Sequence, residues 1–286
     1  MTDQELIERI RALSHPLEPR PTAVAARLVP LPDVRAVLFD IYGTLFISAA
    51  GDIGTGLAVD GDSAFRAALE AVGLPPGGGA ELLTRAIEAE HARKRAAGID
   101  HPEVDIVAIW RAVLERLGLS APETTLRRLA LEYELRVNPV WPMPGLAETI
   151  DALRRRGLRL GVVSNAQFFT PLLFPAFLGR SLEELGFAPG LCFYSWRVGI
   201  AKPSRRLYDL AAAELARQGI EPRQVLYVGN DRRNDIWPAD RVGFRTGLFA
   251  GDARSLRLRE DDPRCRAVQP TCVFKTLPQI PECCAR

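Results

Sequence analysis

The stretch LFDIYGTLF, residues 38–46, joins a short apolar run to a carboxylate and then to a turn. Residues 34–39 end in four consecutive apolar side chains, a pattern typical of a buried β-strand. Asp40 follows this strand directly, and Tyr42 stands two residues further on. Gly43 would let the backbone turn tightly at that point. Because ligands bind at the carboxyl ends of the strands in an open parallel sheet, Asp40 is a candidate for chemistry.

Short apolar segments alternate with helical segments in the second half of the chain. LAETIDALRRRG and SRRLYDLAAAELARQG read as helices, and the apolar segments are LRLGVVS (158–164), LCFYSW (191–196), QVLYVG (224–229), FRTGLFA (244–250) and CVF (272–274). This alternation predicts an α/β fold built on a Rossmann-like, doubly wound parallel sheet. The strand at residues 34–39 belongs to the same sheet.

A block of helices separates that first strand from the others. Helical periodicity runs from about residue 63 to residue 135, with breaks at GLPPGGG, AGIDHP and GLSAP and no strand pattern between them. The block is therefore an all-helical insertion into the sheet domain. Before the first strand, Thr2 and Glu5 fit a capping box that starts a helix. We expect an N-terminal helical extension at 1–33, a sheet core at 34–52 and 143–286, and a helical domain at 53–142.

The composition argues against several kinds of partner. The 286 residues carry a net charge of +2 and are 47% hydrophobic, so nothing indicates a nucleic acid or an anionic membrane. The N-terminus lacks the pattern of a secretory signal, and no apolar run approaches the roughly 20 residues that span a bilayer. The five cysteines match no zinc spacing. We expect a cytoplasmic protein that acts on a small molecule; the sequence leaves open whether it is a monomer or a homodimer.

Four polar clusters lie at or beyond the ends of predicted strands. They are Asp40, Ser164 with Asn165, Lys202, and the loop residues Asn230, Asp231, Asn234 and Asp235. Each cluster alone is typical of an ordinary turn. Together, and in this order, they would supply a nucleophile, a hydroxyl donor, a cation and an acidic loop able to hold a metal. A carboxylate nucleophile needs such groups nearby when it attacks an electrophile that carries negative charge, because they offset the repulsion between the two charges.

In this order the clusters resemble the motifs of the haloacid dehalogenase-like (HAD) superfamily. The first family motif, Asp-x-Asp-Gly-Thr, is matched by residues 40–44, with Tyr42 in place of the second acid. Ser164 resembles the second motif, Lys202-Pro203 the third, and GNDRRND the fourth, with Asn230 in place of its first acid. The resemblance covers about residues 34–274. It implies that the helical insertion is the family's helical (C1-type) cap, which closes over the active site.

The resemblance also implies roles for individual residues. Asp40 would be the nucleophile within a catalytic set that comprises Asp40, Tyr42, Thr44, Ser164, Asn165 and Lys202. In the family's phosphatases the metal takes an oxygen of the nucleophile, the backbone carbonyl two residues on and a loop acid. The implied ligands are Asp40, Tyr42, Asn230, Asp231 and Asp235. Hard oxygen ligands of this kind suit Mg²⁺.

Tyr42 departs from the phosphatase pattern, in which the second acid protonates the leaving oxygen and then activates water. A phenol with a pKa of about 10 is a poor base at neutral pH, and losing a general acid or base costs about 10²–10⁴-fold in rate. The 2-haloacid dehalogenases resemble this chain here, because they carry tyrosine at this position and work without metal. They also have a tyrosine that Tyr208 matches, although its apolar helix face also fits a core position. They use an arginine from the cap, for which Arg66 and Arg111 are candidates.

The acidic loop containing Asp231 and Asp235 favours the phosphatase interpretation. The sequence therefore predicts a hydrolase that uses Asp40 as nucleophile, a Mg²⁺-dependent phosphatase acting on a small-molecule phosphate ester or anhydride. Two alternatives are open. One is a metal-independent 2-haloacid dehalogenase, and the other is a catalytically weak binding module derived from the same family.

Overall fold

The structure of the protein is a computed structural model that describes residues 2–50 and 60–284. Its strands are β1 (Ala36–Phe39), β2 (Phe46–Ser48), β3 (Val140–Pro142), β4 (Arg159–Ser164), β5 (Phe187–Tyr194), β6 (Val225–Gly229), β7 (Arg245–Phe249) and β8 (Cys272–Phe274). Its α-helices are α1 (Asp3–Leu13), α2 (Gly61–Ala71), α3 (Ala80–Ala96), α4 (Ile106–Arg116), α5 (Glu123–Val137), α6 (Leu146–Arg155), α7 (Leu173–Leu178), α8 (Ser195–Val198), α9 (Arg206–Arg217), α10 (Trp237–Arg241), α11 (Pro263–Ala267) and α12 (Gln279–Cys283). No helix within the described ranges has the length and apolar character needed to cross a membrane.

Six of the strands form one parallel sheet in the order β5-β4-β1-β6-β7-β8. The side chains of the central strand β1 alternate between two apolar clusters. Val37 and Phe39 pack on the face covered by α6, α7 and α12, and Ala36 and Leu38 pack on the face covered by α9. Helices on both faces explain why every residue of β1 is apolar and buried. The predicted Rossmann-like α/β fold is confirmed.

Two features of the sheets differ from the sequence prediction. The strand predicted at 191–196 begins earlier, at Phe187, and residues 195 and 196 start α8 instead. The Pro-rich segment around residue 140 also forms a strand, β3, which pairs antiparallel with β2. Both strands of this pair have three residues, and their partners lie about ninety positions apart along the chain. Strands this short, with partners this distant along the chain, produce no periodic pattern by which the sequence could predict them.

The helical insertion comprises α2 to α5 and lies between β2 and β3. It has an apolar core of its own, centred on Phe65, Trp110 and Leu126. Helix α2 begins at Gly61 with Asp60 as its N-cap. The predicted boundary between residues 52 and 53 falls within 51–59, outside the described residues, and the domain limits stay predictions.

The N-terminal segment runs along the body of the protein. Its capping box is present, with Thr2 accepting from the backbone of Glu5 and Glu5 accepting in return. Helix α1 packs against both α5 of the insertion and α7 of the sheet domain. Further along, the backbone of Arg27 pairs with Val273 of the edge strand β8. The segment therefore links the two parts of the fold and covers an edge of the sheet.

Helix α1 meets α5 at a buried carboxylate. Glu132 of α5 is fully buried, and its oxygens accept from Arg9 at 2.7 and 3.1 Å and from Arg136 at 2.6 Å. Burial alone would raise the pKa of Glu132, but the hydrogen bonds from Arg9 and Arg136 outweigh it and lower that pKa. The cluster therefore stabilises the fold at pH values above the ordinary glutamate pKa, and this stabilisation is lost as pH falls through the lowered pKa.

Arg9→Met is expected to lower the free energy of unfolding by about 2 kcal/mol at pH 7, because it removes charge-assisted hydrogen bonds from a buried carboxylate. Urea unfolding at pH 7 measures the change. Arg85→Met is the matched control, since Arg85 pairs with Glu81 at the surface, where an ion pair contributes about 0–1 kcal/mol. Equal losses in the two variants would contradict the role of the buried cluster.

Candidate active site

Asp40 lies where three neighbouring strands end. It follows β1, which lies between β4 and β6 in the sheet. Ser164, the last residue of β4, donates its hydroxyl to Asp40 Oδ1 at 2.8 Å. The backbone N–H of Asp40 donates to Val228 of β6 at 2.9 Å, which fixes the residue in register. Asp40 Oδ2 has no partner among the described residues, so one oxygen is held and the other is available.

Lys202 connects Asp40 to the acidic loop. Its ammonium nitrogen lies 2.7 Å from Asp40 Oδ1 and 2.6 Å from Asp235 Oδ1, and its side chain is 3% exposed. Burial would lower the pKa of Lys202, but attraction by Asp235 and Asp40 outweighs it and raises that pKa to about 12. Lys202 is therefore a permanent cation beside the candidate nucleophile.

Tyr227 contacts the same oxygen of Asp235 that accepts from Lys202. The Tyr227 hydroxyl lies 2.9 Å from Asp235 Oδ1 and 2.8 Å from the carbonyl of Val163. Burial raises the pKa of Asp235 to about 6, and the positive charge of Lys202 limits this rise. Tyr227 was not predicted as a site residue. Its position inside the buried strand β6 gives only the signal of a core tyrosine.

The loop after β6 packs against the first motif through Asn230. Thr44 donates its hydroxyl to Asn230 Oδ1 at 3.1 Å, and the amide nitrogen of Asn230 donates to the Ser255 carbonyl at 2.6 Å. Gly43 has a φ of +78°, and a Cβ there would lie 2.4 Å from the Cβ of Ser255. The tight turn predicted at Gly43 is confirmed. Thr44 and Ser164 were both predicted to act beside Asp40. Ser164 donates its hydroxyl to Asp40, whereas Thr44 donates to Asn230 instead.

Asp231, a predicted metal ligand, is engaged by its own loop and by a cation. Its Oδ1 caps the backbone of Arg233 and Asn234, and its Oδ2 pairs with Arg259 at 2.7 Å. Residues 232–236 form one turn of π-helix, which brings Asp235 back under Asp231. Among the described residues, no group of three or more Asp, Glu, His or Cys side chains is arranged to hold a metal. Arg259 gave no signal in the sequence.

Tyr42 and Tyr208, the two tyrosines discussed above, occupy different environments. Tyr42 lines the cleft beside Asp40, and its hydroxyl lies 3.0 Å from that of Thr170. Burial, followed by the charge of Glu134, raises the pKa of Tyr42, so it stays neutral at physiological pH. Tyr208 is fully buried, stacks edge-on against Tyr227 and donates to the backbone carbonyl of Asn234 at 2.8 Å. It therefore supports the loop from the core.

Asn165 positions the segment that carries Lys202. Its Oδ1 accepts the backbone N–H of Lys202 at 2.7 Å. The peptide bond that follows, Lys202-Pro203, is cis. Asn165 thus acts through the backbone of Lys202 and makes no hydrogen bond to Asp40.

These residues surround a cleft of ≈ 240 Å³. Its lining includes Asp40, Tyr42, Asn165, Lys202, Asn230, Asp231 and Asp235, together with His91, Glu103 and Arg257. The last three were not predicted. His91 and Glu103 come from the helical insertion, so the insertion forms one wall of the cleft. Arg66 and Arg111 are exposed and do not line it.

A parallel sheet that brings an aspartate, a serine, a lysine and an acidic loop to one edge, with a helical insertion above, defines a HAD-type hydrolase. The chain matches the haloacid dehalogenase-like hydrolase family over residues 34–243 and belongs to that family.

Relatives and structural neighbours include both kinds of enzyme considered above. Phosphoglycolate phosphatase of Shigella boydii serotype 4 (strain Sb227) is 31% identical over 246 residues, which cover 78% of this chain and 86% of the relative. Glyceraldehyde 3-phosphate phosphatase of Methanopyrus kandleri is 26% identical over 234 residues, covering 80% and 90%. The 2-haloacid dehalogenase of Pseudomonas syringae pv. Tomato DC3000 has the same fold, with a TM-score of 0.58, 20% identity and coverage of 87% and 97%.

Proposed function

We propose that the protein is a phosphatase that hydrolyses a small-molecule phosphate ester or anhydride with Asp40 as its nucleophile. The similarity to two phosphatases supports this choice over dehalogenation. In the same proposal the helical insertion serves as a cap over the cleft, because His91 and Glu103 of the insertion form part of its wall.

The observation that carries the proposal is the arrangement of the Asp40 carboxylate. Ser164 and Lys202 both donate to Oδ1, and Oδ2 has no described protein partner. A carboxylate held at one oxygen presents the other in a fixed direction, which favours attack on a bound electrophile. Lys202 and Arg257 provide positive charge at the cleft, and a dianionic phosphate needs such charge to approach an aspartate.

The reaction would proceed in two displacements at phosphorus. Asp40 Oδ2 forms a bond to phosphorus while the bond to the leaving oxygen breaks, and that oxygen departs with the electron pair and takes a proton from water. A water molecule then attacks the phosphorus of the aspartyl-phosphate. The bond to Asp40 breaks, the carboxylate is restored, and the proton lost by the attacking water passes to solvent. Lys202 and Ser164 hold Asp40 Oδ1 through both steps.

The residues around Asp40 offer neutral oxygen atoms as well as carboxylates as ligands for a bound Mg²⁺. The backbone carbonyl of Tyr42 belongs to the same turn as Asp40, and Asn230 Oδ1 accepts one hydrogen bond where it can accept two. Asp231 and Asp235 already pair with Arg259 and Lys202. The Tyr42 carbonyl and Asn230 would therefore hold the ion next to the Asp40 carboxylate, with the two loop acids beside them, and Asp40 Oδ2 would stay available for attack. Mg²⁺ there would neutralise charge between Asp40 and the phosphoryl oxygens.

Steady-state release of phosphate from an aryl phosphate, with Mg²⁺ and with EDTA, tests the proposal. We expect release that requires Asp40 and rises with Mg²⁺. Absence of release from aryl phosphates, alkyl phosphates and anhydrides alike, with and without Mg²⁺, would overturn it.

One observation favours a second candidate, a metal-independent 2-haloacid dehalogenase. The Tyr42 side chain beside Asp40 offers no acid, and displacement of halide from carbon needs none. Against it, the described lining of the cleft contains no arginine from the helical insertion. Halide release from 2-chloropropionate that resists EDTA would establish this candidate, and its absence would remove it.

Tyr42→Asp should raise kcat/KM for alkyl phosphates by about 10²-fold or more, because it restores a general acid that protonates the leaving oxygen as Asp40 attacks. Aryl phosphates should gain much less in kcat/KM, since a phenolate leaves without protonation. The measurement is kcat/KM for methyl phosphate and phenyl phosphate in both proteins, because this parameter reports the first displacement and excludes the hydrolysis of the shared aspartyl-phosphate. Equal gains for the two substrates, or none, would contradict the role given to position 42. Tyr42→Phe, which keeps the ring, is the matched control.

A further inference from the structure

A second cavity lies beside the Asp40 cleft, between the helical insertion and the sheet domain. Its volume is ≈ 350 Å³, within the range of about 300–1,000 Å³ that small-molecule sites occupy. His91 and Glu103 line both this cavity and the cleft. The two spaces therefore adjoin at those side chains. We call the second space the side chamber and define it by Leu83, Ile87, Val104, Trp110, Val137 and Phe169, which form its apolar walls.

The charges of the two spaces differ. The cleft contains Lys202 and Arg257, whereas the described lining of the side chamber contains neither lysine nor arginine. The acids of the chamber are Glu103 and Glu134, and burial raises the pKa of each. A second anionic group on a ligand would meet these acids with no cation to offset its charge, at a large cost in desolvation. The chamber suits an uncharged group.

Trp110 gives the chamber a fixed aromatic wall. The residue is 0% exposed, and its indole ring packs at centroid distances of 5.0 Å from Phe65 and 5.5 Å from Tyr133. Aromatic pairs at these distances stabilise their mutual arrangement. The wall formed by Trp110 is therefore apolar and preformed, which suits a flat organic group.

The geometry points to a substrate in two parts. We infer that the side chamber binds an uncharged, largely apolar organic group of the substrate, while the reacting phosphate lies at Asp40 in the cleft. This group is of a size comparable to one or two aromatic rings. The inference rests on the proposed phosphatase function for the phosphate end only. It separates this chain from enzymes whose substrates carry a second anionic group, such as phosphoglycolate.

The chemistry at Asp40 agrees with this class of substrate. Tyr42 supplies no proton to the leaving oxygen, and a phenol or a similarly acidic alcohol leaves most readily without one. An apolar ring in the chamber thus meets both requirements, since it fits the walls and improves the leaving group.

Binding of 2-naphthol to the full chain, measured by isothermal titration calorimetry, tests the chamber without any turnover. We expect saturable binding that weakens at least tenfold in Ile87→Trp, because Ile87 is half-buried and a larger side chain there fills the chamber. Leu82→Trp is the matched control: it lies on the same helix, is also half-buried and does not line the chamber. Should Ile87→Trp fail to fold, Val137→Phe fills the chamber from α5.

The second arm compares kcat/KM for 2-naphthyl phosphate and phosphoglycolate. We expect at least a tenfold preference for 2-naphthyl phosphate, which Ile87→Trp removes and Leu82→Trp keeps. No binding of 2-naphthol, or binding equal in the two tryptophan variants, would overturn the inference even if phosphoglycolate is hydrolysed. Binding that depends on Ile87, with no phosphate released from any substrate, would support the chamber and overturn the phosphatase proposal.

Discussion

Asp40→Asn should lower kcat for an aryl phosphate by at least about 10⁴-fold, since removing the nucleophile from a catalytic unit costs up to about 10⁶-fold. An amide at this position cannot form the acyl-phosphate bond. The amide nevertheless keeps one oxygen that can accept from Ser164 and Lys202, and Lys202 keeps its pair with Asp235. We therefore expect the variant to fold and to bind substrate with little change in Kd.

Single-turnover assays with enzyme in excess and at saturating concentration measure this loss without contributions from product release. The matched control is Asp33→Asn, because Asp33 is exposed in the segment before β1 and contacts no residue of the cleft. A loss below tenfold in Asp40→Asn, in a variant with an unchanged thermal unfolding midpoint, would exclude Asp40 as the nucleophile. Turnover that depends on Asp40 would also exclude the interpretation of the chain as a binding module.

Lys202→Met should affect both stability and activity. Asp40 and Asp235 would stay buried without their shared cation, and breaking a buried ion pair from one side costs about 3–5 kcal/mol. For activity, losing the cation beside the nucleophile should cost about 10²–10³-fold in kcat. Equilibrium unfolding in urea and kcat for the same aryl phosphate measure the two effects.

The stability loss in Lys202→Met should depend on pH. Without the lysine, burial raises the pKa of Asp235 further above its ordinary value, so the folded state binds a proton more readily than the unfolded chain. Stability then falls as pH rises through that range, and the variant should be closest to wild type at about pH 5. Lys275→Met is the control for activity, since Lys275 donates to backbone carbonyls of the N-terminal segment and does not line the cleft. A pH-independent loss would contradict the buried triad.

The residues at the strand ends could be predicted because their positions follow from the sheet itself. Short apolar runs identified β1, β4 and β6, and parallel pairing brings their carboxyl ends to one edge. Asp40, Ser164 and Lys202 meet there within hydrogen-bond distance, as their order in the chain implied. For these residues the local pattern and the global fold agree.

Other contacts of the site could not be predicted, because they depend on long-range packing. Arg259 pairs with Asp231 from a loop whose path cannot be derived from any periodic pattern in the sequence. Tyr227 has the sequence pattern of any tyrosine in a buried strand. These two residues change the interpretation of the acidic loop, since Asp231 has a cation of its own and Asp235 is shared with Lys202 and Tyr227. The side chamber likewise depends on how α3, α4 and α5 pack, and no motif marks its lining.

The proposed mechanism depends most directly on a covalent bond between the phosphorus of the substrate and Asp40. The protein is mixed with 2-naphthyl phosphate and Mg²⁺, quenched in acid during turnover, reduced with borohydride and digested for peptide mass spectrometry. An acyl-phosphate is reduced to the alcohol, so we predict homoserine at position 40 in the substrate-treated sample and unmodified aspartate in the sample without substrate. An intact Asp40 in enzyme caught during turnover, or reduction at Asp231 or Asp235 instead, would contradict the central claim.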